Sequence, residues 1–288
     1  MRKTGHAGFL CRRGVLAVIG TACLAAAAGT TAFSGQKKAD PDLNSLLSKA
    51  AGYCKKLATA SLYFVCQEKV KETVYNPCRR IPSPMGGSAF WTDARNLLFD
   101  YQLIQKEGDV QEQRILIDKK GPASREKDAS LGMLRIRYEK IIFGPNGLFS
   151  DFWQPYFNYT LLGEEKQGGR RALVVEASPK PGLETSHLFG KAWIYPEDGS
   201  VARIEWVPKS VANYDVIVDF AKNLKAEPKL HLALECGFEK NGLRFPSRYE
   251  VIEEYRTANN VRLIKAEQEV VYRNYKFFIV ETDVRFKP

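Results

Sequence analysis

Residues 157–178 read FNYTLLGEEKQGGRRALVVEAS. Two runs rich in Phe, Tyr, Leu, Val and Thr flank Gln167-Gly168-Gly169, and a turn that short joins strands that must run antiparallel. The unit recurs on both sides. Glu107-Gly108-Asp109, Pro196-Glu197-Asp198-Gly199 and Lys240-Asn241-Gly242 each separate another pair of strand-like runs. Working outward, strands are expected near 61–75, 96–106, 110–118, 135–143, 157–166, 170–178, 188–195, 200–207, 229–239, 243–256, 260–273 and 276–286. Parallel crossovers would need intervening helices that the pattern does not offer, so the expected topology is a long antiparallel meander of about 11 to 12 strands.

One helix precedes the strands. Asp40 can cap it, Pro41 suits its first position, and Leu43, Leu46, Leu47, Ala50, Cys54 and Leu57 recur at helical spacing. Loops are expected at 76–90, 118–133 and 208–228, the last with room for a short strand at 214–220. The fold class is therefore mainly β (α+β). Strand twist curls so long a sheet toward an incomplete barrel, whose concave apolar face must be filled by side chains, a helix or a ligand.

Residues 144–157, GPNGLFSDFWQPYF, offer such a filler. Leu148, Phe149, Phe152, Trp153 and Tyr156 form a broad apolar face on a short helix, with Gly144, Pro145 and Gly147 as a flexible lead-in and Pro155 at its end. These five are the candidate ligand-binding residues. As a mobile lid they would admit a hydrophobic guest; as a fixed plug they would only complete the core.

The first 36 residues hold no Asp or Glu, and Arg2, Lys3, Arg12 and Arg13 precede the apolar run Gly14–Gly29. That is the pattern of a cleavable export signal, expected over 1–32, followed by a flexible stretch at 33–39 and a single domain over 40–288. A lipidated Cys23 and a twin-arginine signal are alternatives, but Gly20 and Cys11 stand where each motif wants another residue. The chain of 288 residues is 44% hydrophobic and 26% charged, which excludes disorder and a polytopic membrane protein. Its net charge of +10 includes the four cations of the signal; the remainder suits a solvated exterior or transient contact with an anionic membrane surface. No basic block interleaved with aromatics suggests nucleic acid.

Removing Cys11 and Cys23 leaves Cys54, Cys66, Cys78 and Cys236. In an exported chain four cysteines read as two disulfides with three possible connectivities; Cys54–Cys66 would staple the helix to the first strand and leave Cys78–Cys236. No metal is expected, because neither the cysteines nor His187 and His231 show ligand spacing. No catalytic residues or cofactor are expected either. There is no GxSxG, and Ser124-Arg125-Glu126-Lys127 lacks companion motifs. A carboxylate-dependent hydrolase would have to use Glu235, Glu239, Glu250 and Glu254, whose alternation is commoner on a solvent face.

The segments YCKKLATASLYFVCQEKV (53–70), EEKQGGRRALVVEASP (164–179), KNGLRFPSRYEV (240–251) and YKFFIVETDVRF (275–286) complete a pattern. With the export signal, the amphipathic helix, the meander and the helical insert, the chain resembles the periplasmic lipoprotein-carrier superfamily over nearly its whole mature length. That group includes the outer-membrane lipoprotein carriers and receptors and the related sensing domains of envelope-stress regulators. The resemblance implies a periplasmic monomer that holds a lipid or lipoprotein acyl chain in the concave face, or senses one, possible roles in lipoprotein sorting and partner binding following from it. It also implies a cavity arginine, for which Arg79, Arg95 and Arg114 are candidates. The chain departs from the carriers in its four cysteines and longer loops. An acyl chain of about sixteen carbons would contribute on the order of 12 kcal/mol on burial before ordering costs.

Overall fold

The computed structural model describes residues 42–82, 88–117, 139–182, 187–212 and 214–278, with the backbone alone for 77–82 and 88–91. The expected signal (1–32), the stretch 33–39, the expected capping pair Asp40 and Pro41, and the loop 118–133 lie outside these residues. Pro41–Pro288 forms one compact unit.

Helix α1 spans Leu43–Ala60 and is capped by Asp42, whose carboxylate accepts from the Asn44 amide at 3.1 Å. Its Leu46, Leu47, Ala50, Ala51, Tyr53, Cys54 and Leu57 are buried, the stripe that helical spacing predicts. Twelve strands follow among the described residues: β1 (Phe64–Pro82), β2 (Ser88–Lys106), β3 (Asp109–Leu116), β4 (Phe157–Gln167), β5 (Arg170–Pro179), β6 (Gly190–Ile194), β7 (Val201–Trp206), β8 (Glu227–Glu235), β9 (Phe238–Lys240), β10 (Leu243–Phe245), β11 (Arg248–Arg256) and β12 (Arg262–Phe277). Two further helices are α2 (Gly144–Phe149) and α3 (Tyr214–Asn223).

Ten strands form one antiparallel sheet in the order β3-β2-β1-β12-β11-β8-β7-β6-β5-β4, and β9 and β10 form a separate hairpin. The sheet is open, with β3 and β4 as its two edges. The hairpins read from the sequence are present. At the β4–β5 turn, Gly168 and Gly169 take φ of 54° and 80°, the left-handed pair that a two-residue hairpin loop needs.

One connection breaks the simple meander. The first and last strands pair inside the sheet, third and fourth from the β3 edge, with Glu72 opposite Gln268, while the sequence neighbours β3 and β4 occupy opposite edges. The chain between Leu116 and Phe157 must therefore travel the width of ten strands, about 40 Å if flat. Its described part lies in the main core: Ile141, Ile142, Leu148 and Phe149 are all buried there with α1 and the inward residues of the sheet. A smaller cluster of Ala172, Val174, Trp193 and Tyr195 sits apart from it. Because successive side chains of a strand alternate between faces, Val174 stands on the face opposite Leu173 and Val175, which belong to the main core.

Several local expectations are corrected. The stretch 214–220 is helical, since Ile217 and Ala221 bury one face of α3 while Asp215 and Lys222 suit its two ends. The expected loop at 76–90 is largely strand: β1 and β2 keep pairing to Pro82 and Ser88, with a register shift between Asn76 and Arg80 that spans Pro77, a residue with no N–H for the ladder. Of the strand expected at 135–143, residues 139 and 140 are irregular and Ile141–Phe143 form a 3-10 turn, residues 135–138 lying outside those described. Pro246 separates β10 from β11, splitting the strand expected at 243–256.

Candidate functional site

The five candidate residues do not share one helical face. Helix α2 stops at Phe149, and a turn leads to a 3-10 segment at Gln154–Tyr156. Leu148 and Phe149 are fully buried in the core, Phe152 is 67% and Tyr156 43% exposed, and Trp153 is half-buried between them. Side-chain amides fix this segment in place. Asn146 donates from Nδ2 to the Cys54 carbonyl at 3.0 Å, and Gln154 Nε2 donates to the carbonyls of Leu47 and Phe149, both at 2.8 Å. The Tyr159 hydroxyl donates to the Leu148 carbonyl at 2.5 Å, and its burial holds its pKa well above the usual tyrosine value. Leu148 and Phe149 thus plug the core, while Trp153 walls a cleft.

That cleft has a volume of about 360 Å3 and is lined by Phe143, Gly144, Trp153, His187, Leu188 and Trp206, with Glu139, Lys140, Asn146 and Gly147 also on its walls. Trp153 stacks on His187 with ring centroids 3.6 Å apart. His187 Nε2 lies 3.2 Å from the Gly147 carbonyl, which can only accept, so that nitrogen carries the proton. Burial lowers the His187 pKa below its ordinary 6.5, only partly opposed by the bond to Gly147. Gly144 permits the close packing of α2 on β7, because a Cβ there would stand 3.0 Å from the Trp206 ring and 3.2 Å from Leu234. The cleft can hold an apolar group between aromatic walls and offers a few polar atoms at its rim.

No family model matches the chain, and no curated protein matches it. Solved structures do. The chain is similar to outer-membrane lipoprotein-sorting and LolA-superfamily structures. A putative outer-membrane lipoprotein-sorting protein domain from Vibrio parahaemolyticus aligns at 9% identity and TM-score 0.39, over 82% of this chain and 95% of that one. A DUF1329 family protein from Desulfovibrio piger aligns at 11% identity and TM-score 0.38, over 85% and 96%. A LolA superfamily protein from Nitrosomonas europaea aligns at 12% identity and TM-score 0.32, over 83% and 94%. The architecture described above rests on this chain's own strand order.

Other sequence candidates fall elsewhere. Cys54, Cys66 and Cys236 are free, buried thiols, so the expected Cys54–Cys66 staple is not formed: each side chain is packed separately in the apolar core. The Cys78 side chain lies outside those described. Burial pushes the Cys236 thiol up to about 12 and raises those of Cys54 and Cys66 further. Among the described residues no group of His, Cys, Asp and Glu could hold a metal. The four hydrolase candidates meet arginines: Glu235 is near Arg203 and Arg248, Glu239 binds Arg244, Glu250 binds Arg248, and Glu254 binds Arg256 and Arg262.

Of the arginine candidates, the Arg79 side chain lies outside those described and Arg95 is exposed. Arg114 is drawn inward. Its guanidinium meets Glu68 at 2.6 Å and Glu112 at 2.8 Å and stands 5.0 Å from the Tyr101 ring centroid, while the Tyr272 hydroxyl donates to Glu68. Sequence reasoning missed this buried network and the cleft residues Phe143, His187, Leu188 and Trp206. A signal for the network existed: Phe64, Cys66, Glu68, Val70 and Glu72 share one alternation phase, and two glutamates fall on its apolar side.

Proposed function

We propose that the protein is an exported, periplasmic binding protein that holds the hydrophobic chain of a lipid or acylated protein against its sheet, as in lipoprotein sorting. The observation that carries this reading is the aromatic-walled cleft beside α2. Its volume of about 360 Å3 lies at the lower end of the roughly 300–1,000 Å3 typical of ligand sites, enough for part of one acyl chain. A longer chain would enter only by breaking the two Gln154 bonds that hold the Trp153 segment, whose Phe152 and Tyr156 already face outward. Binding of this kind needs apolar lining and an opening, and uses no catalytic group. Export rests on the basic and apolar N-terminal segment.

Phe152 and Tyr156 also favour a second reading, a partner-binding or sensor domain, because both stand exposed next to the edge strand β4. Brominated fatty acids distinguish the two. Trp153 and Trp206 both line the cleft, so a bound brominated chain quenches tryptophan fluorescence, and Trp153→Phe removes part of that quenching. Absence of quenching, together with a lipid-free protein in native mass spectrometry, would overturn the carrier reading.

A further inference from the structure

The cleft beside α2 is lined by a side chain with one polar atom that the fold does not use. Phe143 and Asn146, and likewise Gly144 and Gly147, are three residues apart, so this short helix and the residue before it turn one face to the cleft. Two side-chain amides anchor the segment, Asn146 to the Cys54 carbonyl and Gln154 to those of Leu47 and Phe149. Of the two, only Asn146 keeps a buried oxygen without a partner, its Oδ1. Anchoring accounts for Nδ2, which donates to α1, and leaves Oδ1 unexplained. A buried amide oxygen without a donor is costly, and a guest in the cleft can supply one.

The rest of the lining narrows what that guest is. Phe143, Trp153, Leu188 and Trp206 offer apolar surface, which suits a ligand that is apolar apart from its donor. Glu139 and Lys140 are adjacent, exposed and of opposite sign on the same cleft, so neither sign of head group is favoured there. Discrimination among acyl ligands then falls on Asn146. At about 360 Å3 the cleft takes only part of one chain, which requires the donor to lie within the few atoms that enter.

We propose that Asn146 Oδ1 selects acyl ligands that carry a hydrogen-bond donor beside the head group, either the hydroxyl of a 3-hydroxyacyl chain or the N–H of an amide-linked acyl chain. The O–H or N–H donates to Oδ1 while the chain lies between the aromatic walls. Asn146 is half-buried and its Oδ1 is covered, so the ligand reaches the oxygen by shifting the cleft lining as it enters. The proposal deepens the carrier reading and rests on it, since it names the chemical class carried.

Matched pairs of ligands test it, read by displacement of a brominated fatty acid whose quenching reports on Trp153 and Trp206 in the same cleft. The first pair is 3-hydroxymyristate and 3-methoxymyristate. The second is N-lauroylglycine and N-lauroylsarcosine, in which a methyl group replaces the N–H. The donor-bearing member of at least one pair should bind about tenfold more tightly than its blocked partner and than the plain fatty acid, and the pair that shows this names the source of the donor. Asn146→Leu should abolish the preference, with Tm recorded to show that the variant folds. His187→Phe, which removes a neighbouring ring nitrogen from the cleft wall, should keep it. In the wild type the donor-bearing ligand should also move the Asn146 side-chain amide resonance further than its blocked partner does, a readout that needs no variant. Equal affinities within both pairs, an unmoved amide resonance, a preference that survives Asn146→Leu, or one lost only in His187→Phe overturns the donor site and leaves the carrier reading standing. Failure of every probe to bind, the brominated acid included, overturns both.

Discussion

Trp153 lies against His187 with ring centroids 3.6 Å apart and 30° between the planes, joining the segment after α2 to the loop before β6 across one wall of the cleft. The stack half-buries the imidazole while its Nε2–H is held by the Gly147 carbonyl. Burial lowers the pKa of His187, so the unfolded chain takes up a proton at a higher pH than the folded one. The stabilising contribution is complete above the ordinary value of 6.5 and is lost as pH falls through the lowered one. Thermal denaturation from pH 7.5 to 5 should show Tm falling in the wild type, and less so in His187→Phe.

Trp153→Ala separates the wall of the cleft from the plug of the core. Trp153 is half-buried, whereas Leu148 and Phe149 are fully buried. Loss of the aromatic wall should weaken acyl-chain binding by roughly tenfold, equivalent to about 1.4 kcal/mol. Phe149→Ala should instead destabilise the fold by about 3–5 kcal/mol. Fatty-acid titration and urea unfolding of the two variants would show the contrast; equal loss of stability in both would make Trp153 part of the plug.

The Glu68–Arg114 pair is buried enough that breaking it leaves a stranded charge. Glu68 is 1% and Arg114 18% exposed, and Arg114 also holds Glu112. Arg114→Met should destabilise by about 3–5 kcal/mol, and adding Glu68→Leu should recover part of that loss, because two apolar groups tolerate a site that one orphaned carboxylate does not. Urea denaturation of the single and double variants measures both effects.

Gly199 sets how closely the β6–β7 turn approaches α1. Its φ is 72°, and a Cβ there would lie 2.4 Å from the Lys49 carbonyl carbon and 2.5 Å from the Ala50 nitrogen. Backbone cannot move aside as a side chain can. Gly199→Ala should cost on the order of 2–3 kcal/mol, read from the shift in the urea midpoint, while Gly52→Ala, with open space around the new methyl, should cost nothing.

Burial raises the pKa values of Cys54, Cys66 and Cys236, keeping them as thiols at neutral pH. Since the thiolate is the reactive form, iodoacetamide at pH 8 should leave all three unmodified in the native protein and label them in urea, as read by peptide mass spectrometry. Above pH 9 the unfolded thiols ionise while the folded ones resist, so stability should decline as pH rises. A Cys54–Cys66 disulfide in the isolated protein would appear as two cysteines that stay unlabelled even in urea until reduced.

Local signals in the chain determined the strands, their hairpins and the buried face of α1. Alternation and turn chemistry act over a few residues, and the Gly168–Gly169 turn obeys them whatever the rest of the molecule does. The same local rules misread 214–220, where apolar residues fit either period, and the length of the insert helix, which ends at Phe149 although the aromatic spacing continues to Tyr156. What only the tertiary structure decided was long-range. Pairing β1 with β12 sends β3 and β4 to opposite edges, and that separation draws the chain between them into the core, where Trp153 can meet His187. The same pairing brings Gln268 to Glu72 from 196 residues away. No spacing along the chain encodes such a meeting, because it follows from which strands share a ladder, and that choice is made by the burial of the whole sheet at once.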